Sequence, residues 1–262
     1  MRTRLDAELV RRGIARSRDH ANDLIESRQI LVNGIPASKS ATQVDPETSI
    51  KLAKVRDDFV SRGGHKLAGA LDHFSSLVVS GKRALDAGAS TGGFTDVLLK
   101  RGVEHVIAVD VGYGQLAWEI RQDSRVTVLD RTNVRHLTLD HIGNPVDLVV
   151  ADLSFISLTL VIPALKAVTT ESADLIVMVK PQFEVGREKL GAGGVVRDSE
   201  LRKKAVKEVA DSAFELGLGC VDVVASSLPG PSGNVEYFLW LKKDSAELND
   251  ALLIDAIAKG PQ

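Results

Sequence analysis

The chain carries four charged residues in positions that could do acid–base chemistry: Lys66, Asp152, Lys180 and Glu236. Asp152 and Lys180 each follow a run of apolar residues directly, as residues do at the carboxyl end of a buried strand. Open α/β sheets bind their ligands outside that edge. A lysine there can withdraw a proton from a hydroxyl group only if its pKa is lowered, which burial or a second ammonium group nearby would do. The four residues therefore predict a site that activates a poor nucleophile.

A glycine-containing loop between a predicted strand and the helix after it predicts a cofactor site. Glycines at 88 and 92 allow the backbone to approach a ligand closely. The loop lacks the Gly-x-Gly-x-x-Gly spacing of dinucleotide-binding loops, and a carboxylate at Asp86 suits a cationic amine better than a diphosphate. We expect these residues to bind the cofactor: Asp86, Gly88, Ala89, Ser90, Thr91, Gly92 and Phe94.

The elements that must hold these residues alternate between strand and helix after residue 59. Runs of Val, Ile and Leu predict strands that helices cover on both faces. The predicted strands are 84–86, 106–110, 126–129, 146–151, 175–179, 221–225 and 236–241, and the predicted helices include 93–100, 116–121, 158–168 and one from Asp198 or Ser199 to Gly217. This order predicts an open, doubly wound, Rossmann-like α/β domain with an antiparallel pair of strands at one edge.

The first 58 residues show a different pattern. Apolar residues from Leu5 recur at helical spacing up to a turn at Gly13, and Ser17 is suited to begin a second helix. A short strand at 30–32 is followed by Asn33-Gly34, which tolerates the positive φ of a tight turn. We therefore predict a small α+β module at 1–58 and the α/β domain at 59–262, with a linker at about 53–61.

Composition and charge restrict the class of protein. The 262 residues carry a net charge of −2, yet residues 1–66 hold 13 Lys and Arg against 9 Asp and Glu, whereas the remainder holds 20 against 26. This asymmetry favours a basic module that meets a polyanion. The single cysteine, Cys220, excludes an intramolecular disulfide, and the longest uncharged apolar run, 153–165, is shorter than the ~20 residues that span a bilayer. We expect a cytoplasmic monomer that requires no metal.

The N-terminal module resembles the S4 RNA-binding domain. The resemblance rests on Arg4-Leu5-Asp6, Leu9-Val10, the run from Gly13 to Arg18, Ala21, Leu24-Ile25 and Val32-Asn33-Gly34. In S4 domains the second helix presents basic side chains to structured RNA, whose phosphates they bind with release of counterions. The resemblance implies RNA contacts by these arginines: Arg4, Arg11, Arg12, Arg16 and Arg18.

The loop at 86–92 resembles the first motif of S-adenosylmethionine-dependent methyltransferases, in the form found in ribose methyltransferases. In that class an acidic residue after the second strand binds the ribose hydroxyls of the cofactor, and Asp110 matches it. A carboxylate at this strand end can accept hydrogen bonds from both hydroxyls. Asp130, after the third strand, is a weaker candidate for the adenine end.

The order of the four charged residues matches the tetrad of ribose 2′-O-methyltransferases related to FtsJ. The resemblance implies that Lys180 is the base or the group that orients the hydroxyl. It implies that Lys66 adjusts the basicity of Lys180 electrostatically and stabilises the alkoxide. The carboxylates of Asp152 and Glu236 would position the lysines. A tetrad of this kind titrates as a coupled set.

Over nearly its whole length, including Arg62-Gly63-Gly64-His65-Lys66-Leu67 and residues 227–236, the chain is similar to the TlyA (hemolysin A) family. The family implies an S-adenosylmethionine-dependent methyltransferase of cytidine ribose in ribosomal RNA, acting on ribosomal subunits and supporting susceptibility to capreomycin and viomycin. Matched positions imply that Phe155 contacts the cofactor and that Arg62, Ser232 and Asn234 contact RNA. Two alternatives stay open: a non-catalytic RNA-binding ribosome-assembly factor, and a hemolysin, although the composition does not support pore formation.

Overall fold

The computed structural model describes residues 2–15, 17–26, 29–52, 59–230 and 232–261. The chain forms two compact units, residues 1–58 and residues 59–262. Arg16, Arg56 and most of the predicted linker lie outside the described residues. Phe59 and Val60, which the prediction included in the linker, pack against a core of the larger unit.

The smaller unit combines two helices with short antiparallel strands. In chain order it contains β1 (Thr3–Arg4), α1 (Leu5–Arg11), α2 (Arg18–Glu26), β2 (Ile30–Val32), β3 (Ile35–Pro36), β4 (Gln43–Val44) and β5 (Ile50–Leu52). β2 lies between β3 and β5, and β1 pairs with β4. Asn33 and Gly34 take φ angles of 51° and 83° in the β2–β3 turn, the conformation expected from their residue types. The Ser17 hydroxyl accepts a hydrogen bond from the His20 backbone N–H, as predicted for a helix start.

A buried acidic residue, Glu8, ties α1 to the loop between β4 and β5. Its side chain is 3% exposed and accepts hydrogen bonds from Arg11 and Arg12. These bonds, that of Arg11 first, lower the pKa of the Glu8 carboxyl to about 2. Arg12 also donates to the carbonyls of Pro46 and Thr48, each at 2.8 Å. Arg12 is therefore a bridge within the unit.

The larger unit is built around one seven-stranded sheet. Its helices are α3 (Arg62–His73), α4 (Gly93–Lys100), α5 (Trp118–Arg121), α6 (Leu139–Ile142), α7 (Ile162–Ala167), α8 (Pro181–Glu184), α9 (Ser199–Glu215) and α10 (Asp250–Lys259). Its strands are β6 (Arg83–Ala87), β7 (His105–Val109), β8 (Val126–Leu129), β9 (Val146–Ala151), β10 (Thr169–Val179), β11 (Leu218–Ala225) and β12 (Tyr237–Lys243).

The strand order in the sheet is β11-β12-β10-β9-β6-β7-β8. The strands β10, β9, β6, β7 and β8 are parallel, and β12 runs antiparallel to both of its neighbours. Because β12 is reversed, its beginning lies at the same edge of the sheet as the carboxyl ends of the parallel strands. The predicted mostly parallel, doubly wound sheet is confirmed.

Alternation of side chains along the strands explains why both faces are apolar. In β9, Val149 and Ala151 belong to one core, and Leu148 and Val150 belong to the core on the other face. Side chains of successive residues in a strand point to opposite faces, so a run of apolar residues is buried on both. The sheet therefore fixes the ends of β6, β9 and β10 rigidly beside one another.

Several predicted boundaries differ from the structure. β10 begins at Thr169, six residues earlier than predicted, and its pairing with β9 shifts register between Thr169 and Asp174. The predicted helix at 158–168 is a 3₁₀ turn, Leu158–Leu160, followed by α7. Pro163 cannot donate a backbone hydrogen bond, which favours its place in the first turn of the shorter helix.

We predict that Arg12→Ala speeds amide hydrogen exchange in residues 43–50 about tenfold, because the loop loses the charged donor to two of its carbonyls. Arg11→Ala is the matched control, since Arg11 is 63% exposed and its side chain contacts Glu8 alone among the contacts described. Hydrogen-exchange mass spectrometry measures both variants. Equal exchange in the two variants would show that Arg12 does not hold this loop.

Candidate functional site

Three adjoining cavities open at the carboxyl edge of the sheet. Cavity A is about 610 Å³, cavity B about 560 Å³ and cavity C about 110 Å³. Asp152 lines all three, and Ser154 and Phe155 line both A and B. Cavities A and B each have the volume of a typical small-molecule site. The segment after β9 is thus a wall common to both.

Cavity A contains two lysine–carboxylate pairs. Lys66 Nζ lies 2.5 Å from Glu236 Oε2, and Lys180 Nζ lies 2.6 Å from Asp152 Oδ1. Lys180 also donates a hydrogen bond to Ser154 Oγ at 3.0 Å. The structure therefore brings together all four residues that the sequence singled out. Each ammonium group lies against a carboxylate. The sequence instead indicated Lys66 as a second ammonium group close to Lys180.

The elements around cavity A explain this pairing. Lys66 is on the second turn of α3, and Glu236 directly precedes β12. Both side chains are buried, with 7% and 1% exposed. A buried charge is tolerated when an opposite charge is close and well placed. The Lys66–Glu236 pair is therefore a buried ion pair, whereas Asp152 in the second pair keeps 24% of its side chain exposed.

Asn234 holds a wall of cavity A together. It is 3% exposed, its Nδ2 donates to the Gly194 carbonyl at 3.0 Å, and its Oδ1 accepts from the Val196 backbone N–H at 2.9 Å. These bonds fasten the glycine-rich segment 191–196, which borders the cavity. One N–H and one acceptor position of the Asn234 amide are thus used within the chain, and because Asn234 also lines cavity A, its predicted contact with RNA stays a prediction. Arg62 and Ser232 are exposed at the rim of the same cavity.

Gly88 permits the closest backbone approach in the site. Its φ is +86°, and a Cβ atom there would lie 2.4 Å from the Asp152 carbonyl oxygen. The Asp152 backbone N–H donates to the Ala87 carbonyl at 3.0 Å. Gly92 has a φ of +96° and is the N-cap residue directly before α4. Both positions therefore require glycine, as the loop pattern predicted.

Asp110 lies at the edge of cavity B. Its carboxylate accepts hydrogen bonds from the backbone N–H of Ser90 at 2.8 Å and of Gly112 at 2.7 Å. Each carboxylate oxygen has a second acceptor position, which leaves capacity for ligand hydroxyls. Of the other loop residues, Ala89, Thr91 and Phe94 border only the small cavity C among the cavities described. Phe94 is 3% exposed and lies mainly in the core.

Asp86 lies beneath the loop. It is fully buried, accepts a hydrogen bond from Thr95 Oγ1 at 2.6 Å, and lines none of the cavities described. Its other oxygen, Oδ1, has no hydrogen-bond partner among the described residues. Burial raises the pKa of the Asp86 carboxyl to about 7, and the nearby charges of Asp152 and Asp110 act in the same direction. Asp86 is thus separated from the cavity surfaces by the loop, and its expected contact with a ligand amine stays a prediction.

Asp130 does not line cavity B. Its carboxylate forms an ion pair with Arg121 and accepts from the Gly114 backbone N–H. The expected place at the adenine end of a cofactor is therefore not supported. Asn133 and Val134 line the cavity there, together with Gln115, and the sequence analysis missed all three. The position of these residues near the end of a strand was the available signal, and it drew attention only to the charged residue, Asp130.

Phe155 separates cavity A from cavity B. Its side chain is 91% exposed, its φ is +64°, and its ring centroid lies 5.1 Å from that of Phe183. Left-handed backbone is rare for a bulky residue and is commonest at functional sites. The predicted cofactor contact agrees with its place in the lining of cavity B.

The arginines of the smaller unit are used unequally within it. Arg4 pairs with Asp6, and Arg12 is the internal bridge described above. Arg18 is 61% exposed and lies 3.7 Å from Asp6, which leaves its guanidinium accessible. Counted to the boundary at residue 58, the basic excess is only 11 residues against 9. The charge asymmetry is therefore weaker than the count to residue 66 suggested, and Arg12 does not face outward as expected.

None of the helices in the described ranges is long and apolar enough to cross a membrane. Those residues also contain no group of three or more His, Cys, Asp or Glu side chains placed to hold a metal ion.

Known proteins resemble both units. Residues 59–243 match the FtsJ-like methyltransferase family, and residues 3–50 match the S4 domain. The 16S/23S rRNA (cytidine-2′-O)-methyltransferase TlyA of Mycobacterium tuberculosis is 55% identical over 266 residues, which cover 99% of each chain. Hemolysin A of Brachyspira hyodysenteriae is 34% identical, covering 89% of this chain and 97% of its own. A solved structure from Streptococcus thermophilus, whose name includes hemolysin, is 35% identical, has a TM-score of 0.79 and covers 98% of this chain and 95% of that one.

We predict that Asp86→Asn flattens the dependence of unfolding on pH. Between pH about 4 and about 7 the folded protein holds a proton on Asp86 that the unfolded chain releases, so stability falls as pH rises through this interval. The substitution removes that titration. Melting temperatures at half-unit pH steps measure it, with the exposed Asp140→Asn as control. The same slope in wild type and Asp86→Asn would contradict the assignment.

Proposed function

This chain belongs to the FtsJ-like methyltransferase family, and we propose that it transfers a methyl group from S-adenosylmethionine to the 2′-oxygen of cytidine in ribosomal RNA. The observation that carries the proposal is the presence of two lysine–carboxylate pairs in one cavity beside a second cavity that Gly88 and Asp110 line. The full-length similarity to a 16S/23S rRNA (cytidine-2′-O)-methyltransferase supports this choice of substrate.

Cavity B fits the cofactor. Gly88 lines the cavity without a side chain, and Asp110 offers a carboxylate to ribose hydroxyls at the cavity edge. Asp86 Oδ1, which has no hydrogen-bond partner among the described residues, lies beneath the same loop, and a cationic cofactor above it would favour release of the proton that burial keeps on this carboxyl. When bound, the cofactor supplies a methyl group on a positively charged sulfur, which is already activated for transfer.

Cavity A would then hold the acceptor nucleotide. A ribose hydroxyl is a poor nucleophile until its proton is withdrawn, so the protein must orient it and take up that proton. The Lys180–Asp152 pair is placed for both tasks, with Ser154 fixing the ammonium group. Asp152 can take one proton from the paired Lys180 ammonium group, and the neutral Lys180 amine would then accept the proton of the 2′-hydroxyl as its oxygen bonds to the methyl carbon. The electron pair of the broken carbon–sulfur bond would stay with the sulfur of the cofactor.

The Lys66–Glu236 pair, which also lines cavity A, supports the same step. The Lys66 ammonium group stabilises the negative charge that develops on the 2′-oxygen. Glu236 fixes Lys66 at 2.5 Å and keeps its charge in the buried site. Lys66 and Lys180 are thus proposed to act on the hydroxyl, and Asp152 and Glu236 to position them.

The smaller unit is proposed to dock on structured RNA through its exposed arginines. Arg4, Arg11 and Arg18 keep 46%, 63% and 61% of their side chains exposed. Such groups bind phosphates and release counterions. Methylation of ribosomal RNA would place the protein in the cytoplasm, where ribosomes are. We extend the proposal to a role of this methylation in susceptibility to capreomycin and viomycin.

We predict that Lys180→Ala lowers methyl transfer to ribosomal subunits by ~100-fold or more, the usual contribution of a proton-transfer group. Tritiated S-adenosylmethionine provides the measurement, and calorimetry should show that cofactor affinity stays close to that of the wild type. Lys204→Ala, which changes an exposed lysine of α9, is the control. Equal labelling by wild type and Lys180→Ala would remove Lys180 from the mechanism. Subunit binding by the wild type without transfer would instead favour an assembly factor.

We also predict that Arg18→Ala weakens subunit binding and lowers the slope of log affinity against log salt by about one, as expected for one lost phosphate contact. Lys259→Ala removes a similarly exposed charge of the larger unit and should leave the slope unchanged. Filter binding between low and physiological salt measures both. An unchanged slope for Arg18→Ala would count against docking through α2.

A further inference from the structure

The segment 152–158, the shared wall, borders both proposed binding sites. Asp152, Ser154 and Phe155 each line cavity A and cavity B. Any displacement of this segment would change the place of the Lys180–Asp152 pair and the shape of both cavities together. The shared wall therefore needs contacts that hold it from outside.

The shared wall contains a left-handed residue, Phe155, whose backbone conformation needs support from neighbouring residues. Phe155 has a φ of +64°, and its ring is 91% exposed, so little packing secures it. A bulky residue keeps such a conformation only when the structure around it determines it. The contact with the Phe183 ring, at 5.1 Å between centroids, comes from α8. α8 begins directly after Lys180.

Glu184, the last residue of α8, holds the other end of the shared wall. Its Oε2 accepts a hydrogen bond from Ser157 Oγ at 2.5 Å, and its Oε1 accepts one from the Leu158 backbone N–H at 3.0 Å. Both hydrogen bonds that its carboxylate accepts in the described residues thus come from adjacent positions of one segment. This bidentate arrangement fixes both the position and the direction of the wall.

The environment of Glu184 makes these bonds important. Burial raises the pKa of its carboxyl, and the bonds from Ser157 and Leu158 lower it in part. A partly buried carboxylate without an ion pair among the described contacts depends on such donors. An apolar side chain would pack there more easily. The carboxylate of Glu184 is therefore best explained by the segment that it holds through Ser157 and Leu158.

We propose that Glu184 is a positioning residue for methyl transfer, which fixes the shared wall so that Asp152 stays against Lys180 and Phe155 stays between the two cavities. The inference rests on the proposed function, because it assigns Glu184 an effect on that reaction. Glu184 does not line either cavity, so it acts through the wall and not by contact with a ligand.

Four variants test the proposal: Glu184→Ala, Glu184→Asp, Glu184→Gln and the control Glu215→Gln, which changes an exposed glutamate of α9. The full-length proteins are compared by melting temperature, by calorimetry with S-adenosylmethionine, and by single-turnover methyl transfer to ribosomal subunits. We expect Glu184→Ala to lower the single-turnover rate about tenfold or more and to weaken cofactor binding several-fold, because small misplacements of reacting groups have large effects. Glu184→Asp keeps the charge but is too short to reach both donors, so it should show the same loss.

Glu184→Gln should retain most of the rate and affinity. Its amide oxygen can still accept from Leu158, and its NH₂ group can donate to the Ser157 hydroxyl. Rescue by Gln but not by Asp would show that the bidentate contact matters and the charge does not. If Glu184→Ala does not fold, Glu184→Asp decides the question in the same assays.

Two results would overturn the proposal. One is a rate and an affinity equal to those of Glu215→Gln in folded Glu184→Ala and Glu184→Asp. The other is a lowered melting temperature with unchanged rate and affinity, which would make Glu184 a stability residue only. If the proposed function itself fails, the wild type transfers no methyl group, which distinguishes that outcome from a failure of the Glu184 proposal. The affinity of the Glu184 variants for S-adenosylmethionine, measured by calorimetry, would still decide whether Glu184 positions the shared wall.

Discussion

The site depends on the close approach of the Asp152 backbone to Gly88. The ends of β6 and β9 are neighbours in a parallel sheet, and only a residue without a side chain at position 88 lets the chain after β9 cross directly over the loop after β6. This packing places one carboxylate, that of Asp152, at the junction of three cavities. A methyl donor in one cavity and an acceptor in the next would then meet at this junction.

The charges in cavity A follow from this geometry. Asp152 meets Lys180 because β10 lies beside β9 and both strands end at the same edge. Glu236 meets Lys66 because the reversed strand β12 begins at that edge, opposite α3. Buried ion pairs are weak sources of stability, since desolvation offsets their attraction. The buried Lys66–Glu236 pair and the partly exposed Lys180–Asp152 pair in the same cavity are better explained by the reaction than by the fold.

The sequence predicts the sheet and the four charged residues well, because apolar runs and the residues that end them are local features. Lys180 and Asp152 could be placed at strand ends, but their direct pairing could not be predicted, since it depends on the side-by-side order of β9 and β10. Asn234 illustrates a second limit. A polar residue in a turn-rich segment looks accessible, yet the Asn234 side chain is buried and its amide forms hydrogen bonds with the backbone of residues 194 and 196.

Other residues escaped prediction because their roles are set by distant contacts. Glu184 carries no motif, and its importance appears only when α8 packs beside the segment after β9. Arg12 looked like its neighbours in a basic cluster, but the fold turns it toward the carbonyls of a loop more than thirty residues away. A cluster of basic residues in the sequence therefore indicates a binding surface, and only the fold decides which of those side chains remain accessible.

The most direct test of the account is a map of 2′-O-methyl groups in ribosomal RNA from cells with and without this protein. Mass spectrometry of nuclease fragments identifies both the modified nucleotide and the modified atom. The account predicts 2′-O-methylcytidine that is present only when the protein is made. Methylation on a base, or identical maps in the two strains, would contradict it.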